Sequence, residues 1–247
     1  MLELQKQIGE LANDFENGSS VIAKKGLQLF VDALNSSDLN SEYRIKKLKE
    51  EIINAKPSMS ALKNIINQAY ELYQQGLVAD SIKKYLLDKM NDETMRCIDL
   101  AKQKIFEMNF PVILTCSFSS TVLKLFESLK KDSYSFQVYA YKSIWRNRDY
   151  SEQMIDACKK MGIESKQIES KDLNDNLPSI GIIGADSQIP DKGVVNGVPS
   201  LEFAKLLKSK KIGLYVIAES FKKSDEVHIA DGFEFVESYL ISRIFFD

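Results

Sequence analysis

Asp186 follows a short apolar run and is the first residue whose position suggests chemistry. The run at 179–183 predicts a strand, and a helical pattern from Ser200 followed by a second apolar run at 213–218 predicts successive βα units. A carboxyl group beyond the end of a buried strand lies where open α/β sheets bind ligands. Burial would raise its pKa and suit it to proton transfer, whereas otherwise it would cap the following turn. The residues alone leave both alternatives open.

A second group of reactive side chains lies where another predicted strand gives way to a helix. The strand at 110–115 is followed by Cys116, Ser117 and Ser119, and then by a helical pattern. Backbone N–H groups at a helix N-terminus, joined by hydroxyl groups, bind phosphate or carboxylate. Serine also caps helices without any ligand, which is the alternative. Cys116 would be a nucleophile if the helix lowered its pKa, and an inert core residue otherwise.

Gly18, Ser19 and Ser20 open a further predicted helix, whose free N–H donors indicate either a second anion site or an ordinary cap. Lys56 and Lys222 are single cations that either reach such a site or lie in solvent. Segment 141–148 mixes aromatic and basic residues, a composition that can stack on nucleotide bases. The net charge of −2 argues against nucleic acid as a partner.

Two kinds of pattern divide the chain. Helical spacing fills residues 1–106, with breaks at 17–20, 36–38 and 56–58 that predict about five antiparallel helices. Strands alternating with helices follow, which favours a parallel sheet; the runs lie at 110–115, 136–140, 163–168, 180–183 and 213–218. We predict an α/β protein with an N-terminal helical domain, residues 1–108, and a Rossmann-like, doubly wound parallel-sheet domain, residues 109–247.

The composition narrows the class of protein. The 247 residues are 44% hydrophobic and 28% charged, which allows a sizeable core. The N-terminal residues lack the apolar centre of a secretory signal, and no apolar run approaches the roughly 18 residues of a membrane span. Three widely spaced cysteines and one histidine match no metal-ligand pattern. We therefore expect a cytoplasmic protein with no metal, no cofactor and no membrane partner.

Taken together, these segments resemble a known family. Residues 184–196, which begin Gly-Ala-Asp and end Asp-Lys-Gly-Val-Val-Asn, and residues 215–222 are similar to motifs of the α/β/δ-subunit family of translation initiation factor 2B. Segments 19–30, 56–64 and 112–123 add weaker matches. The family also includes methylthioribose-1-phosphate and ribose-1,5-bisphosphate isomerases. The resemblance implies a helical domain on a Rossmann-like domain, assembled as a homodimer or an oligomer of related subunits.

The resemblance also assigns roles to residues. In the isomerases a cysteine and an aspartate interconvert an aldose phosphate and a ketose phosphate; by position these are Ser117, which replaces the cysteine, and Asp186. A hydroxyl is a far poorer acid–base group than a thiol near neutral pH. Rescue by Cys116 would need a shift of one residue, which turns a strand side chain to the other face. The candidate ligand-binding residues are Gly18, Ser19, Lys56, Ser119, Asn196 and Lys222.

We therefore predict a non-catalytic, initiation-factor-2B-like regulatory protein that retains a pocket for a sugar phosphate or a nucleotide. The alternative is an aldose–ketose phosphate isomerase in which Asp186 and Cys116 exchange protons with the substrate. A third hypothesis is an interaction protein without any ligand. The directions of the side chains at 116 and 117 discriminate between the first two, because only a group that faces the pocket can reach a substrate.

Overall fold

The computed structural model describes residues 2–36, 41–174 and 178–247. Five α-helices come first in the described chain, and their bounds are α1 (Leu2–Ala12), α2 (Ser19–Leu34), α3 (Glu42–Asn54), α4 (Ser60–Gln74) and α5 (Ala79–Phe106). The predicted helical region is confirmed, although the break at 36–38 lies mostly outside the described residues. One apolar stripe on each helix faces a shared cluster in which α2 and α4 make the most extensive contact.

Helix α5 joins the helical region to the sheet. Residues on its first half, such as Leu86 and Met90, pack in the helical cluster, whereas Cys97 and Ile105 on its second half pack against the sheet. A single helix of 28 residues therefore links the two regions. The division into domains at residue 108 stays a prediction.

The remaining elements alternate between strands and helices. They are β1 (Val112–Cys116), α6 (Ser120–Lys131), β2 (Gln137–Tyr141), β3 (Ile144–Trp145), β4 (Arg148–Asp149), α7 (Tyr150–Lys160), β5 (Ser165–Ile168), β6 (Ile180–Ile183), β7 (Ser187–Ile189), β8 (Gly193–Gly197), α8 (Ser200–Ser209), β9 (Leu214–Ile217), β10 (Phe233–Glu237) and β11 (Arg243–Phe245). The predicted α/β class is confirmed. Strands β3, β4, β10 and β11 were not predicted. Strands β3, β4 and β11 have only two or three residues and give little periodicity, whereas the alternating pattern of β10 was overlooked.

Six strands form one parallel sheet in the order β11-β9-β6-β1-β2-β5. Numbered along the chain, this is the strand order 3-2-1-4-5-6 of Rossmann folds. Apolar clusters cover both faces: residues of α5, α6 and α7 pack on one, and those of α8 on the other. The order reverses between β1 and β6, so the connections after these strands leave on opposite faces and a crevice opens between them.

The segment after β6 forms a small antiparallel sheet of its own, in the order β10-β8-β7. Strand β8 begins at Gly193, which adopts φ 145° and where a Cβ atom would lie 2.1 Å from the carbonyl oxygen of Val236. Only glycine fits this close approach of two backbones. This sheet holds residues 184–197 beside the crevice.

Candidate functional site

Two helix N-termini face each other at the crevice. Helix α6 begins directly after β1, and Gly18 precedes helix α2 on the opposite side. A Cβ atom on Gly18 would lie 3.8 Å from Oγ and 3.9 Å from the backbone nitrogen of Ser120. Both helices therefore direct the positive ends of their dipoles, and their free N–H groups, at the same space.

This space is a small inner cavity between the helical region and the sheet. Its volume is about 20 Å³, so it holds one or two water molecules or a compact group. Residues from α2, α6 and the segment after β6 line it together with one lysine: Gly18, Ser19, Ser20, Phe118, Ser119, Ser120, Thr121, Ala185, Asp186, Asn196 and Lys222. Six of the predicted site residues are thus brought together.

Ser20 carries an unused hydrogen-bonding group at this cavity. Its side chain is 8% exposed, and its Oγ atom has no hydrogen-bond partner among the described residues. Helix α2 also lacks a side-chain cap at Gly18, whereas Ser119 Oγ accepts a hydrogen bond from the nitrogen of Val122 and caps α6 at 3.3 Å. A buried hydroxyl without a partner costs about 1–3 kcal/mol. The hydroxyl group of Ser20 is therefore a donor without an acceptor, next to Ser19, which donates to the carboxyl group of Asp186.

Lys222 brings a positive charge to the same cavity. It is 2% exposed, and its Nζ atom lies 2.7 Å from Oε2 of Glu219, which is fully buried. The other oxygen of Glu219 accepts hydrogen bonds from Thr121 at 2.9 Å and Thr94 at 3.1 Å. These bonds fix the carboxylate opposite the lysine, and the ion pair compensates the cost of burying both groups.

Asp186 is buried beside these cations. Its backbone nitrogen donates a hydrogen bond of 2.8 Å to the carbonyl oxygen of Val195, which fixes the start of the segment leading to β7. Burial raises the pKa of its carboxyl group above the usual range, while the positive charges of Lys222 and Lys56 and hydrogen bonds from Ser19 partly oppose this shift. The carboxyl group therefore has the environment of a proton-transfer group.

Ser117 and Cys116 point in different directions. Ser117 adopts φ 65°, donates its backbone N–H to Ser143 Oγ at 3.0 Å, and lines a cavity next to the inner one. A Cβ atom on Gly197 would lie 3.1 Å from its hydroxyl oxygen. Cys116 packs into the core on the α8 side, with Sγ 3.4 Å from Ser143 Oγ, and burial raises the pKa of its thiol to about 12. Ser117 faces the site and Cys116 does not.

The outer cavity lies between the start of α2 and the β3–β4 hairpin. It has a volume of about 70 Å³ and shares Gly18, Phe118 and Asp186 with the inner cavity. Its other lining residues are Asp14, Phe15, Glu16, Asn17, Met59, Ser117, Trp145, Tyr150, Gly197, Val198, Gly232 and Phe233. Five of the fifteen are aromatic, which makes this part of the site mostly apolar.

Two further ligand candidates lie at different places, Lys56 at the Phe15 ring and Asn196 at the inner cavity. Lys56 is buried, its Nζ atom lies 3.9 Å from the centroid of the Phe15 ring, and burial lowers the pKa of its ammonium group. It stands at the Phe15 ring and is not among the residues that line either cavity. Asn196 lines the inner cavity and donates a hydrogen bond of 2.8 Å from its amide group to Ser200 Oγ.

Several residues at the site were missed by the sequence prediction. Among them are Thr121, Phe15 and Phe233, whose positions in the sequence carried no signal beyond helix capping or an apolar pattern, whereas Ser20 belongs to the anion site or cap that the sequence indicates at 18–20. The aromatic and basic composition of 141–148 did signal Trp145, but without its place in the fold. Among the described residues, no three His, Cys, Asp or Glu side chains form a group that could hold a metal ion. No helix in the described ranges is long and apolar enough to cross a membrane.

Comparison with protein families shows to which family this chain belongs. The model of the initiation factor 2 subunit family matches residues 15–238. The chain belongs to this family. The matched residues contain the inner cavity, every lining residue of the outer cavity except Asp14, all the candidate site residues and most of the helical region, so the resemblance seen in the sequence is confirmed over both regions.

Relatives and solved structures extend this finding. A Pyrococcus horikoshii protein provisionally named translation initiation factor eIF-2B subunit 2-like is 28% identical, over 86% of this chain and 76% of its own. A Pyrococcus abyssi protein of the same name is 26% identical over 99% and 91%. The crystal structure of the P. horikoshii translation initiation factor eIF-2B has a TM-score of 0.81 at 24% identity, covering 98% of this chain and 94% of that chain.

A second solved structure is the tetrameric eIF2B-beta2-delta2 complex from C. thermophilum, with a TM-score of 0.76 at 14% identity, over 98% of this chain and 90% of that chain. At these identities the two crystal structures show a shared fold. The structural neighbours thus include a complex of related subunits from this family.

Proposed function

We propose that this protein is a non-catalytic, regulatory member of the initiation factor 2 subunit family that binds a phosphorylated ligand, a sugar phosphate or a nucleotide, at the crevice. The phosphoryl group would occupy the inner cavity, held by the N-termini of α2 and α6 and by Lys222. The aromatic outer cavity would hold the rest of the ligand.

The observation that carries this proposal is the buried, unpartnered hydroxyl of Ser20 in the first turn of α2. A helix N-terminus alone is a weak indication of a site, since every helix has one. Here two of them converge on one cavity with a buried lysine, and a hydroxyl beside them has nothing to bond to. A phosphoryl oxygen would accept from Ser20 and from the free N–H groups.

The position of Ser117 supports the absence of isomerase activity. This residue occupies the place of the catalytic cysteine and lines the outer cavity, but its hydroxyl group has little acidity near neutral pH. Cys116 would have to leave the apolar core to reach a substrate, and its raised pKa keeps the thiol protonated. Asp186 is then a pocket residue without a partner for two-group proton transfer.

The test is binding of orthophosphate in a phosphate-free buffer, measured by calorimetry and thermal shift. For Ser20→Ala we expect about tenfold weaker binding, since hydrogen bonds to charged groups contribute about 1.5–3 kcal/mol. The unliganded variant should be slightly more stable than the wild type, because it no longer buries an unpaired hydroxyl. Ser209→Ala, which changes an exposed serine at the far end of α8, is the matched control and should change neither quantity.

A site made for phosphate predicts these opposite effects of Ser20→Ala on stability and affinity. A hydroxyl that is only structural predicts lost stability instead. The proposal would be refuted if the wild-type protein bound neither orthophosphate nor any phosphorylated sugar or nucleotide. That result would favour a protein that acts through subunit contacts alone.

The alternative is an aldose–ketose phosphate isomerase, and the raised pKa of buried Asp186 favours it. Incubation with ribose-1,5-bisphosphate and methylthioribose-1-phosphate, followed by analysis for the ketose product, discriminates the two functions. We expect no product. Turnover by the wild type that disappears in Asp186→Asn would refute the non-catalytic proposal, and loss in Cys116→Ser would assign the second group.

Assembly with a second copy or with a related subunit is the remaining part of the proposal. The support is family membership and the structural likeness to subunits that form a complex. We propose a homodimer that acts in the cytoplasm. Light scattering at several protein concentrations should give twice the mass of one chain, and a single-chain mass throughout would contradict the homodimer.

A further inference from the structure

A third and much larger cavity lies between α4, α5 and segment 220–226. Its volume is about 640 Å³, which is within the range of small-molecule pockets, roughly 300–1,000 Å³. It shares no lining residue with the inner or the outer cavity, so it is a separate feature of the described chain. Of its fourteen lining residues only Phe221 is apolar, and the cavity therefore suits a polar ligand.

Hydrogen bonds hold the walls of this cavity in place. Asn64 on α4 donates from its amide nitrogen to the carbonyl oxygens of Phe221 at 3.0 Å and Lys223 at 2.7 Å. The backbone nitrogen of Ser224 donates a hydrogen bond of 2.8 Å to the carbonyl oxygen of Gln188 in β7. The walls are thus fixed by the fold, and a ligand that enters does not have to order them.

Glu93 places a buried carboxylate at this cavity. It is 4% exposed, and its Oε2 atom accepts a hydrogen bond of 3.3 Å from the backbone nitrogen of Phe221. The ammonium group of Lys89 lies 4.0 Å from Oε1, beyond hydrogen-bond distance, and donates instead to the side chain of Gln68 at 2.8 Å. Oε1 therefore accepts no hydrogen bond from a described residue. A buried oxygen of this kind gains free energy from any charged donor that reaches it.

The charge of Glu93 determines what the cavity can hold. Burial raises the pKa of its carboxyl group, and the negative charge of Asp247 raises it further, whereas Lys89 opposes the shift. A cation in the cavity would stabilise the ionised carboxylate, while an anion would be repelled by it. An apolar ligand would leave the polar lining without partners. A bare metal ion finds no group of three His, Cys, Asp or Glu side chains anywhere in the described chain. An organic cation remains.

The rim of the cavity carries charges of both signs. Lys63 and Lys223 are exposed there, and so are Glu71, Asp225 and Glu226. A ligand whose outer end bears both an ammonium group and a carboxylate would find a partner for each at this rim. Free α-amino acids have such an end.

We propose that this cavity binds a free amino acid with a cationic side chain, whose head group pairs with Glu93 and whose α-carboxylate lies at the rim lysines. A guanidinium group has five N–H donors in one plane, which suits Oε1 of Glu93 together with the side-chain amide of Asn67 in the same lining. This second ligand is independent of a phosphorylated ligand at the crevice.

The experiment is calorimetry of the full chain with arginine, agmatine and citrulline. Citrulline has the shape of arginine without its side-chain charge, and agmatine lacks the carboxylate. We expect citrulline to bind at least tenfold more weakly than arginine, the factor that one charge-assisted hydrogen bond contributes. Agmatine should bind about threefold more weakly, as expected for an exposed ion pair.

Three variants locate the site. Glu93→Gln keeps the size of the side chain and its bond from Phe221 but removes the charge, so arginine affinity should fall at least tenfold. Asp92→Asn changes an exposed carboxylate one residue away on α5, and as the matched control it should stay within twofold of the wild type. Asn67→Phe fills the cavity from α4 without changing a charge and should also weaken binding at least tenfold. Circular dichroism and thermal unfolding establish that the variants are folded, and Asn67→Phe decides alone if Glu93→Gln is not.

Arginine that binds no more tightly than citrulline or agmatine would overturn the inference. Undiminished arginine binding by Glu93→Gln or Asn67→Phe would do the same, and so would the absence of binding by the wild type at millimolar arginine. Orthophosphate binding is measured in parallel and should not change in any of the three variants. Failure of the amino-acid site would therefore leave the proposed phosphate site intact, and the two results can be told apart.

Discussion

The buried pair of Lys222 and Glu219 allows a quantitative test of how the site is held together. Lys222→Met keeps most of the side-chain volume and removes the charge. Glu219 is fully buried, so this change leaves a carboxylate with two threonine donors and without the cation it pairs with. Breaking a buried ion pair on one side costs about 3–5 kcal/mol. We expect this loss in the free energy of unfolding at pH 7, measured by urea denaturation followed with circular dichroism.

The double variant Glu219→Gln/Lys222→Met supplies the control. Glutamine can still accept from Thr94 and Thr121, and no isolated charge remains, so the double variant should be more stable than Lys222→Met alone. Replacing a whole buried pair is often nearly neutral. Orthophosphate binding should nevertheless be weak in both variants, since both lack the cation. A loss below about 1 kcal/mol in Lys222→Met, or strictly additive losses in the double variant, would refute the claim that these groups act as a pair.

Three further predictions concern the surroundings of the pair. Burial raises the pKa of Asp186, so the folded state binds this proton more tightly than the unfolded chain, and stability falls as the pH rises through that pKa. Urea titrations should therefore find Asp186→Asn more stable than the wild type at pH 7, and this difference in stability should disappear below about pH 4. A difference that does not change with pH would contradict the prediction. Gly193→Ala should lower the melting temperature strongly by forcing a Cβ against a carbonyl, whereas Gly9→Ala, with nothing within 4 Å, should raise stability by about 0.5–1 kcal/mol. The three buried cysteines should react with a thiol reagent only on unfolding, and fast labelling of Cys116 at pH 7 would contradict its placement in the core.

The order of helices and strands could be predicted from the sequence, because amphipathic helices and buried parallel strands leave strong periodic patterns. The same patterns placed Asp186 and the start of α6 at strand ends, and the rules of parallel sheets then placed both at one edge. The family motifs survive as short contiguous runs, and they could be recognised without the fold. The strands β3, β4 and β11, of two or three residues each, gave no comparable signal.

The tertiary structure decided which side chains share a cavity. Gly18 and Ser120 are a hundred residues apart, and no local pattern indicates that their helices point at the same space. Ser117 faces the site because it adopts a left-handed backbone conformation, held by a hydrogen bond from its backbone to Ser143; the ordinary alternation of a strand would have left this direction undetermined. In the sequence Ser20 is one of several polar residues at a helix start, and only the fold shows that its hydroxyl group is buried without a hydrogen-bond partner.

The sequence by itself thus determined the fold class, the family and the identity of most groups at the crevice. Those properties depend on local preferences and on hydrophobic spacing, which each segment carries alone. The direction of Cys116, the orphaned hydroxyl of Ser20 and the aromatic wall around Trp145 depend on contacts between segments far apart in the chain. Burial and electrostatic environment arise only when those segments pack, and they decide what the chemical groups can do.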